Sequence, residues 1–368
     1  MKLLIAGNLA NTGYFLASSL RESGIMVDLL MEKDPKFTSD PINTGELKNR
    51  KYPDWIKFVD KNRNWKREIV KIMRSYDLIS AATEFPIFAM FSLKPYIAIA
   101  TGSDLRELAQ SNKLKGIVLR MAYRKAKVVV FTDPDLFRSV EKLKLKNAVY
   151  IPPIRDFDKF PSPQKNNNFP KGKFIFFHPT NHIWKIKKND IFLKAFARLA
   201  KNRNDVYLIT ISRGEDADKS FNLLNNSGIK GKFEFLSKSL SQEGLISYFQ
   251  NCDVVVDQFG VGSFGSLGIE SMSIGKPLIS FIDKKIYEKL YEQKPPVLSS
   301  NTEDGIYEIL LKLVNEKQLC ENLGRQSCEW IMKFHSYKDL VKKYINLYQS
   351  VNEKKDFSEI KLSLTKKN

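Results

Sequence analysis

Residues 254–280 decide the fold, and they read VVVDQFGVGSFGSLGIESMSIGKPLIS. The run VVVD at 254–257 predicts a buried strand, and a loop rich in glycine and serine follows it. A helix is predicted to begin near Ser266, and Gly275-Lys276-Pro277 turns the chain into the next strand. A strand, a loop, a helix and a second strand in this order predict one unit of a parallel α/β sheet.

The loop of this unit has the chemistry of an anion site. Because residues 260–265 carry little side-chain bulk, backbone N–H groups at the helix N-terminus are able to approach an anionic oxygen closely. The helix dipole favours the same negative charge. Glu270 lies about one turn into the helix, where its carboxylate is suited to accept hydrogen bonds from the hydroxyls of a ribose or sugar. The alternative is a tight loop that only packs a core helix, with Glu270 in solvent.

Strands and helices alternate in the same way through both halves of the chain. In the second half the hydrophobic pattern predicts strands at 173–177, 206–211 and 232–235, and helices at 190–201, 218–226 and 242–251. In the first half it predicts strands at 2–6, 26–31, 78–81, 96–100 and 128–131, and helices at 14–23 and 113–124. Three prolines and a polar composition predict a long surface excursion over 34–64. This alternation predicts two parallel sheets.

A proline-rich break in composition separates the two halves. It begins near Ile151-Pro152-Pro153 and predicts a linker at 156–172. We therefore expect an α/β protein with two Rossmann-like parallel-sheet domains facing a cleft, an N-terminal one at 1–155 and a C-terminal one at 173–336. Ligands of parallel sheets bind outside the carboxyl ends of the strands, so the cleft is the expected site.

Composition narrows the class of protein. The 368 residues include 60 Lys and Arg against 41 Asp and Glu, so the net charge of +19 attracts phosphorylated ligands, nucleic acid or an acidic membrane face. Apolar residues make up 43%, which excludes a disordered or collagen-like chain. Three cysteines without a Cys-x-x-Cys pair predict a reduced, cytoplasmic protein. No apolar stretch approaches the roughly 18 residues of a spanning helix, so we expect any membrane contact to be peripheral.

The glycine loop and its helix resemble the donor-nucleotide motif of retaining glycosyltransferases of family 4, which have the two-domain GT-B fold. The resemblance rests on Ser263-Phe264-Gly265 and on the run from Glu270 to Pro277. In the family two glutamates flank seven residues, and the first of them falls on Gly262 here. Asp257, at the end of the preceding strand, either supplies a carboxylate from elsewhere or caps the strand.

A second resembling segment runs from His178 to Phe196. Family members have an Arg and, five residues later, a Lys-Gly pair that clamp the donor diphosphate. His182 falls at the Arg position, Lys187 at the Lys position and Lys188 at the Gly position. The alternative is a solvated basic turn. His178 and His182 are four residues apart, but the intervening proline and the missing glutamate oppose a helical zinc pair. In the mechanism that the resemblance implies, fixed cations replace a metal, so no metal and no cofactor beyond the nucleotide sugar are expected.

In the first domain, Thr101-Gly102-Ser103-Asp104-Leu105-Arg106 follows a predicted strand and resembles a segment of the same glycosyltransferases. Asp104 and Arg106 either position an acceptor and the phosphates or form a helix cap with an ion pair. The loop after the first strand offers Asn8, Asn11 and Tyr14 as groups that recognise acceptor hydroxyls.

The helix predicted at 113–124 combines apolar and basic positions. Its apolar residues at helical spacing are Leu114, Ile117, Val118 and Met121, and its basic residues and those that follow it are Arg120, Arg124, Lys125 and Lys127. This pattern fits attachment of the first domain to anionic lipid. A solvated basic face is the alternative.

The resemblance implies a retaining glycosyltransferase that moves a sugar from a nucleotide diphosphate sugar to a sugar or lipid-linked acceptor in cell-surface polysaccharide or glycoconjugate synthesis. It further implies a C-terminal helix at about 337–352 that packs back on the first domain. The expected partners are the nucleotide sugar, the acceptor and the inner face of the cytoplasmic membrane, without nucleic acid. A nucleotide-sugar epimerase of the same fold and a non-catalytic basic scaffold remain as alternatives.

The expected site residues fall into three groups. The catalytic group is Lys187, His182, Glu270 and Asp104; the donor-binding group is Gly262, Ser263, Gly265, Ser266, Leu267, Lys185, Arg213 and Asp257; the acceptor group is Asn8, Asn11, Tyr14 and Arg106.

Overall fold

The computed structural model describes residues 1–60, 62–160, 169–237 and 240–365. The chain divides into two compact units, Met1–Arg155 with His335–Asn368, and Asp156–Phe334. We call them unit 1 and unit 2. Residues 161–168, which form the centre of the predicted linker, lie outside the described residues.

Unit 1 contains a seven-stranded parallel sheet. Its strands are β1 (Leu3–Ala6), β2 (Val27–Glu32), β3 (Ile56–Val59), β4 (Leu78–Ala82), β5 (Tyr96–Ala100), β6 (Val128–Phe131) and β7 (Ala148–Tyr150), in the order β3-β2-β1-β4-β5-β6-β7. The central strands β1, β4, β5 and β6 are buried along their whole length, because helices cover both faces of a parallel sheet. The helices between them are α1 (Thr12–Glu22), α2 (Trp65–Arg74), α3 (Phe85–Ser92), α4 (Ser103–Arg106), α5 (Leu114–Lys125) and α6 (Phe137–Lys142).

Unit 2 contains a five-stranded parallel sheet. Its strands are β8 (Phe174–His178), β9 (Val206–Ile211), β10 (Phe233–Leu236), β11 (Val254–Val256) and β12 (Leu278–Ile279), in the order β10-β9-β8-β11-β12. Its helices are α7 (Trp184–Lys187), α8 (Asn189–Asn202), α9 (Ala217–Asn225), α10 (Gln242–Asn251), α11 (Ser266–Ser273), α12 (Lys284–Leu290), α13 (Glu303–Asn315) and α14 (Lys317–Phe334). The prediction of two parallel sheets is confirmed.

The C-terminal helices α15 (Tyr337–Asn352) and α16 (Phe357–Thr365) belong to unit 1. Leu340, Tyr344 and Leu347 of α15 are buried in the same core as the sheet of unit 1. The hydroxyl of Tyr348 donates to Ser80 Oγ on β4 at 2.9 Å. Apolar burial and one buried hydrogen bond therefore hold the last helices on this unit.

The prediction of a surface excursion over 34–64 is wrong near its C-terminal end. Ile56–Val59 forms the edge strand β3, which pairs in parallel with β2. Ile56 and Val59 are buried, while Lys57 between them is exposed. These four residues do not alternate between buried and exposed positions, and the strand is too short to stand out from the polar, proline-containing sequence around it.

Candidate active site

The strand order of unit 2 points to one place for a ligand. The order reverses between β8 and β11, so the loops that leave these two neighbouring strands diverge at their carboxyl ends. Such a switch point forms a crevice in parallel sheets. Thr180 and Lys187 follow β8, and Asp257 and Gly265 follow β11.

Asp257 joins the two loops. One carboxylate oxygen, Oδ1, accepts the hydroxyl of Thr180 at 2.8 Å, and the other, Oδ2, accepts the backbone amide of Gly265 at 2.7 Å. The side chain is almost completely buried. Charge-assisted hydrogen bonds of this kind are short and strong. The carboxylate therefore fixes the N-terminus of α11 relative to the loop after β8.

Lys187 belongs to the same network. Its Nζ lies 3.4 Å from Thr180 Oγ1, and its carbonyl accepts the backbone amide of Phe259 at 2.8 Å. A Cβ on Gly260 would lie 1.8 Å from the carbonyl oxygen of Ile186, so only glycine permits this approach of the two loops. The sequence pattern alone did not identify Thr180. Its position two residues after the carboxyl end of β8, where parallel sheets bind ligands, was the signal that could have identified it.

Lys188 has the backbone conformation of the glycine that the family has at this position. The family has a glycine where Lys188 stands, and Lys188 adopts a left-handed conformation with φ of 50°. This is the region that glycine occupies without steric cost. The turn between α7 and α8 therefore keeps the backbone shape of the motif although its residue differs.

The glycine loop leads into α11 as predicted. Gly262 has φ of 85°, and its carbonyl accepts the amide of Asp283 at 2.8 Å. Ser263 is buried, and its carbonyl accepts Nε2 of Gln258 at 2.8 Å. The backbone amide of Gly265 already donates to Asp257. The backbone N–H groups of Ser266 and Leu267, in the first turn of α11, are therefore the donors in position for an anion.

Glu270 is buried, with 2% of its surface exposed, in the second turn of α11. The alternative that placed Glu270 in solvent is therefore wrong. Gly268, in the first turn of the helix, packs closely on Phe264 and Leu278, which holds α11 against β12. The carboxylate thus lies on a helix that is packed into the core of unit 2.

His182 differs from its expected role. Its ring is buried, Nε2 lies 3.0 Å from Thr210 Oγ1, and Phe235 stacks on it. Burial, and then the neighbouring His178, lower the pKa of His182 to about 3. It is therefore uncharged at neutral pH, unlike the Arg that the family has at this position.

Histidine burial predicts an acid-sensitive fold. All three histidines are buried, and burial lowers their pKa values, to about 4 for His178 and about 3 for His182 and His335. An unfolded histidine has a pKa of about 6.5, so below that pH the unfolded chain binds more protons than the folded chain. Stability in this range therefore rises with pH and is lost on acidification.

We expect the free energy of unfolding to fall by up to about 1.4 kcal/mol per pH unit for each histidine as the pH drops below about 6.5. Urea unfolding curves between pH 7 and about pH 5.5 measure this slope above the range in which most carboxylates titrate. A free energy that does not change over this interval would show that the histidines are not buried and neutral.

Lys185 belongs to the connection after β8, and Arg213 belongs to the loop after β9. Lys185 is exposed on α7, whereas Arg213 is half-buried and its Nε donates to Asn181 Oδ1. The backbone of Arg213 also accepts the amide of His182 at 2.7 Å, which ties the loop after β9 to the loop after β8. The structure thus brings Lys187, Asp257, Arg213 and the start of α11 into one region of unit 2.

Two expected residues of unit 1 anchor the loop after β5. Buried Asp104 accepts the backbone amides of Thr101 and Gly102, at 3.1 and 2.8 Å, and the hydroxyl of Tyr123 at 3.0 Å. Burial raises its pKa. Arg106 pairs with Asp135 at 2.6 Å. The ion pair of the alternative is present, and the hydrogen bonds of Asp104 hold the loop after β5 in place.

The acceptor residues after β1 also have internal partners. Asn8 Nδ2 donates to Asn11 Oδ1 at 3.0 Å and to the carbonyl of Ser39 at 2.8 Å, and Asn11 Nδ2 donates to Thr44 Oγ1 at 2.7 Å. The ring of Tyr14 stacks on Trp55 with centroids 5.8 Å apart. These contacts fasten the segment around residues 39–44 to the carboxyl end of β1.

No group of three or more His, Cys, Asp or Glu side chains in the described part of the chain is arranged to hold a metal ion. None of the described helices has the length and apolar character needed to cross a bilayer.

Residues 159–330 match the family described as Glycosyl transferases group 1. Comparison with curated proteins gives no match. In structure, the chain is similar to HepE of Anabaena in complex with UDP-glucose, with 13% identity, a TM-score of 0.73 and coverage of 95% of this chain and 100% of that chain.

Two further structures are similar over nearly the whole chain. Sucrose-phosphate synthase of Thermosynechococcus elongatus has 14% identity, a TM-score of 0.73 and coverage of 96% of this chain and 100% of that chain. MnaA of S. aureus in complex with UDP has 12% identity, a TM-score of 0.63 and coverage of 96% and 97%. Residues 159–330 therefore form a glycosyl transferase group 1 domain, within a chain that has the GT-B fold.

Proposed function

We propose that the protein transfers a sugar from a uridine diphosphate sugar to a hydroxyl of a sugar or lipid-linked acceptor. The observation that carries the proposal is the connection of Lys187, Thr180, Asp257 and Gly265 at the switch point of unit 2. Uridine is proposed because HepE and MnaA, whose folds are similar, bind UDP-glucose and UDP. The group 1 family match favours transfer over the epimerase and scaffold alternatives.

In this proposal the cation and the helix amides act on the leaving group. The bond between the anomeric carbon and the donor phosphate oxygen breaks, and a bond from the same carbon to the acceptor oxygen forms. The ammonium of Lys187 and the amides of Ser266 and Leu267 stabilise the negative charge that develops on the diphosphate. The departing phosphate oxygen takes the proton of the acceptor hydroxyl, so the step needs no separate protein base.

Asp257 is proposed as a positioning residue. Gly262 stands where the family has its first glutamate, and Asp257 is the nearest carboxylate in sequence. Both of its oxygens already accept hydrogen bonds, from Thr180 and Gly265. We therefore assign it the orientation of α11 and of Thr180 rather than a direct contact with the donor sugar.

Glu270 is proposed to hold the donor ribose. Replacing it with glutamine keeps the shape and one acceptor oxygen but removes charge-assisted hydrogen bonds, each worth about 1.5 to 3 kcal/mol. We expect the Kd of UDP to rise about tenfold or more in the Glu270→Gln variant. Calorimetric titration measures it, and circular dichroism checks that the helix content is kept. Equal dissociation constants for the two proteins would assign Glu270 a structural role.

The second part of the proposal concerns the acceptor and the biosynthetic pathway. We propose cell-surface polysaccharide or glycoconjugate synthesis in the cytoplasm, at the inner face of the cytoplasmic membrane. Thermal stabilisation by UDP, GDP and their sugars identifies the donor first. Incubation of that donor with lipid-linked and soluble sugar acceptors then distinguishes transfer, which requires an acceptor, from an epimerase, which converts the donor alone.

A further inference from the structure

Unit 1 has an open groove of about 910 Å³ between α2, α3 and α5. Helix α3 packs against both α2 and α5, which form the two sides of the groove. Its apolar lining comes chiefly from Trp65, Ile87, Phe88, Phe91 and Leu114. The groove contains none of the residues assigned to the donor site, so the function proposed for unit 2 leaves it unexplained.

Exposed apolar side chains extend the groove onto the surface. Phe91 is 55% exposed, Leu93 is 86% exposed and Leu114 is 77% exposed. Single exposed apolar residues are ordinary on a protein surface, but large ones beside an apolar groove mark an interaction site.

The apolar stripe of α5 points in an unexpected direction. Helical spacing usually brings such a stripe to the core, but here Ile117 and Met121 are exposed together with Leu114. The buried face of α5 is formed by a different set of residues, Gly116, Leu119, Ala122 and Tyr123. Since Leu114 and Val118 also line the groove, the stripe and the groove meet along α5.

Basic side chains surround this apolar surface. The groove is lined by the cations of Lys66, Arg67, Lys71, Arg74 and Lys115. Glu84 is the carboxylate in the lining, and it is paired with Lys115 at 2.5 Å. On α2 the buried residues are Ile69 and Met73, so the four α2 cations lie on the outer part of that helix.

We propose that the groove and the exposed stripe of α5 dock on the surface of an anionic phospholipid leaflet. A basic rim around apolar side chains is the pattern of interfacial binding, in which cations approach lipid phosphates and apolar groups enter the acyl boundary. A second copy of the chain is disfavoured because it would bring two basic rims together. Nucleic acid gives no reason for an apolar groove of this size.

This inference deepens the acceptor part of the proposed function and rests on it, because a membrane-bound enzyme meets a lipid-linked acceptor at the leaflet. The test uses vesicles without donor or acceptor. A failure of docking is therefore distinguishable from a failure of sugar transfer, which is measured with soluble substrates.

The experiment compares co-sedimentation with vesicles of phosphatidylcholine plus phosphatidylglycerol and with vesicles of phosphatidylcholine alone. We expect binding to the anionic vesicles only, weakening as salt shortens the Debye length from about 10 Å at 0.1 M. The variant Phe91→Ser/Leu93→Ser/Leu114→Ser should lower the partition coefficient at least about tenfold. Charge reversal by Lys66→Glu/Lys71→Glu should lower it by a similar factor or more.

Matched controls lie at exposed positions away from the groove. Met26→Ser/Met332→Ser/Leu362→Ser repeats the loss of three exposed apolar side chains, and Lys284→Glu/Lys285→Glu repeats the charge reversal. Both should bind anionic vesicles as the unmodified protein does. Equal binding to neutral vesicles, or equal losses in control and groove variants, would overturn the proposal. If the unmodified protein forms a dimer but does not bind vesicles, and the triple variant is a monomer, the groove binds a second copy of the chain instead.

Discussion

Replacing Lys187 with alanine is expected to lower the turnover of sugar transfer by about a hundredfold to a thousandfold, the effect of losing one preorganised charge donor. The ammonium is held 3.4 Å from Thr180 Oγ1, and Asp257 in turn holds Thr180. In the proposed mechanism the cation is oriented before the diphosphate departs, and its removal would leave the developing charge without its main partner. Initial rates with a saturating donor measure the loss.

The control for this prediction is Lys194→Ala. Lys194 is exposed on α8 and pairs with Asp190 at 3.4 Å, so its removal changes the net charge by the same amount. Surface ion pairs contribute about 0 to 1 kcal/mol, and the control should keep its turnover and stability. If a folded Lys187→Ala protein turned over at the normal rate, the assignment of the diphosphate to this loop would be wrong.

Replacing Gly260 with alanine is expected to lower turnover by about a hundredfold or more, because it displaces the loop that carries Lys187. A Cβ at this position would lie 1.8 Å from the carbonyl oxygen of Ile186, far inside van der Waals contact. The hydrogen bond from Phe259 to the carbonyl of Lys187 lies directly beside this contact. The two loops must separate to admit one methyl group.

The stability of the same variant gives a second measurement. We expect a decrease of about 1 to 3 kcal/mol in the free energy of unfolding, the usual cost of overpacking. Gly244→Ala is the matched control, since a Cβ there meets the side chains of Ser241 and Leu240 at 3.4 to 3.7 Å. It should leave stability and turnover nearly unchanged. A Gly260→Ala protein with normal turnover would show that the loops tolerate separation.

The sequence predicts the fold well because the periodic signals are strong. Apolar runs such as Val128–Phe131 and Val254–Val256 are fully buried in parallel strands, as their composition indicates. The edge strand β3 escapes prediction because only half of its residues are buried. An edge strand pairs on one side, so its composition is less constrained.

The candidate site is less completely predictable, because the sequence shows residue types and not their partners. The segment around Lys187 is identified by its resemblance to the family and the glycine loop by its composition, but the role of Asp257 is visible only in its contacts with Thr180 and Gly265. His182 occupies the position of a cation in the motif, yet burial keeps it neutral. Burial of a polar side chain depends on tertiary packing, which a local pattern does not contain.

The most direct test of the central claim is calorimetric titration of UDP and of uridine against the unmodified protein and Lys187→Ala. If the loops after β8 and β11 hold the diphosphate, UDP binds at least about a hundredfold more tightly than uridine, and Lys187→Ala reduces this preference about tenfold or more while leaving uridine binding unchanged. Equal affinities for UDP and uridine, or a preference that survives in Lys187→Ala, would contradict the account.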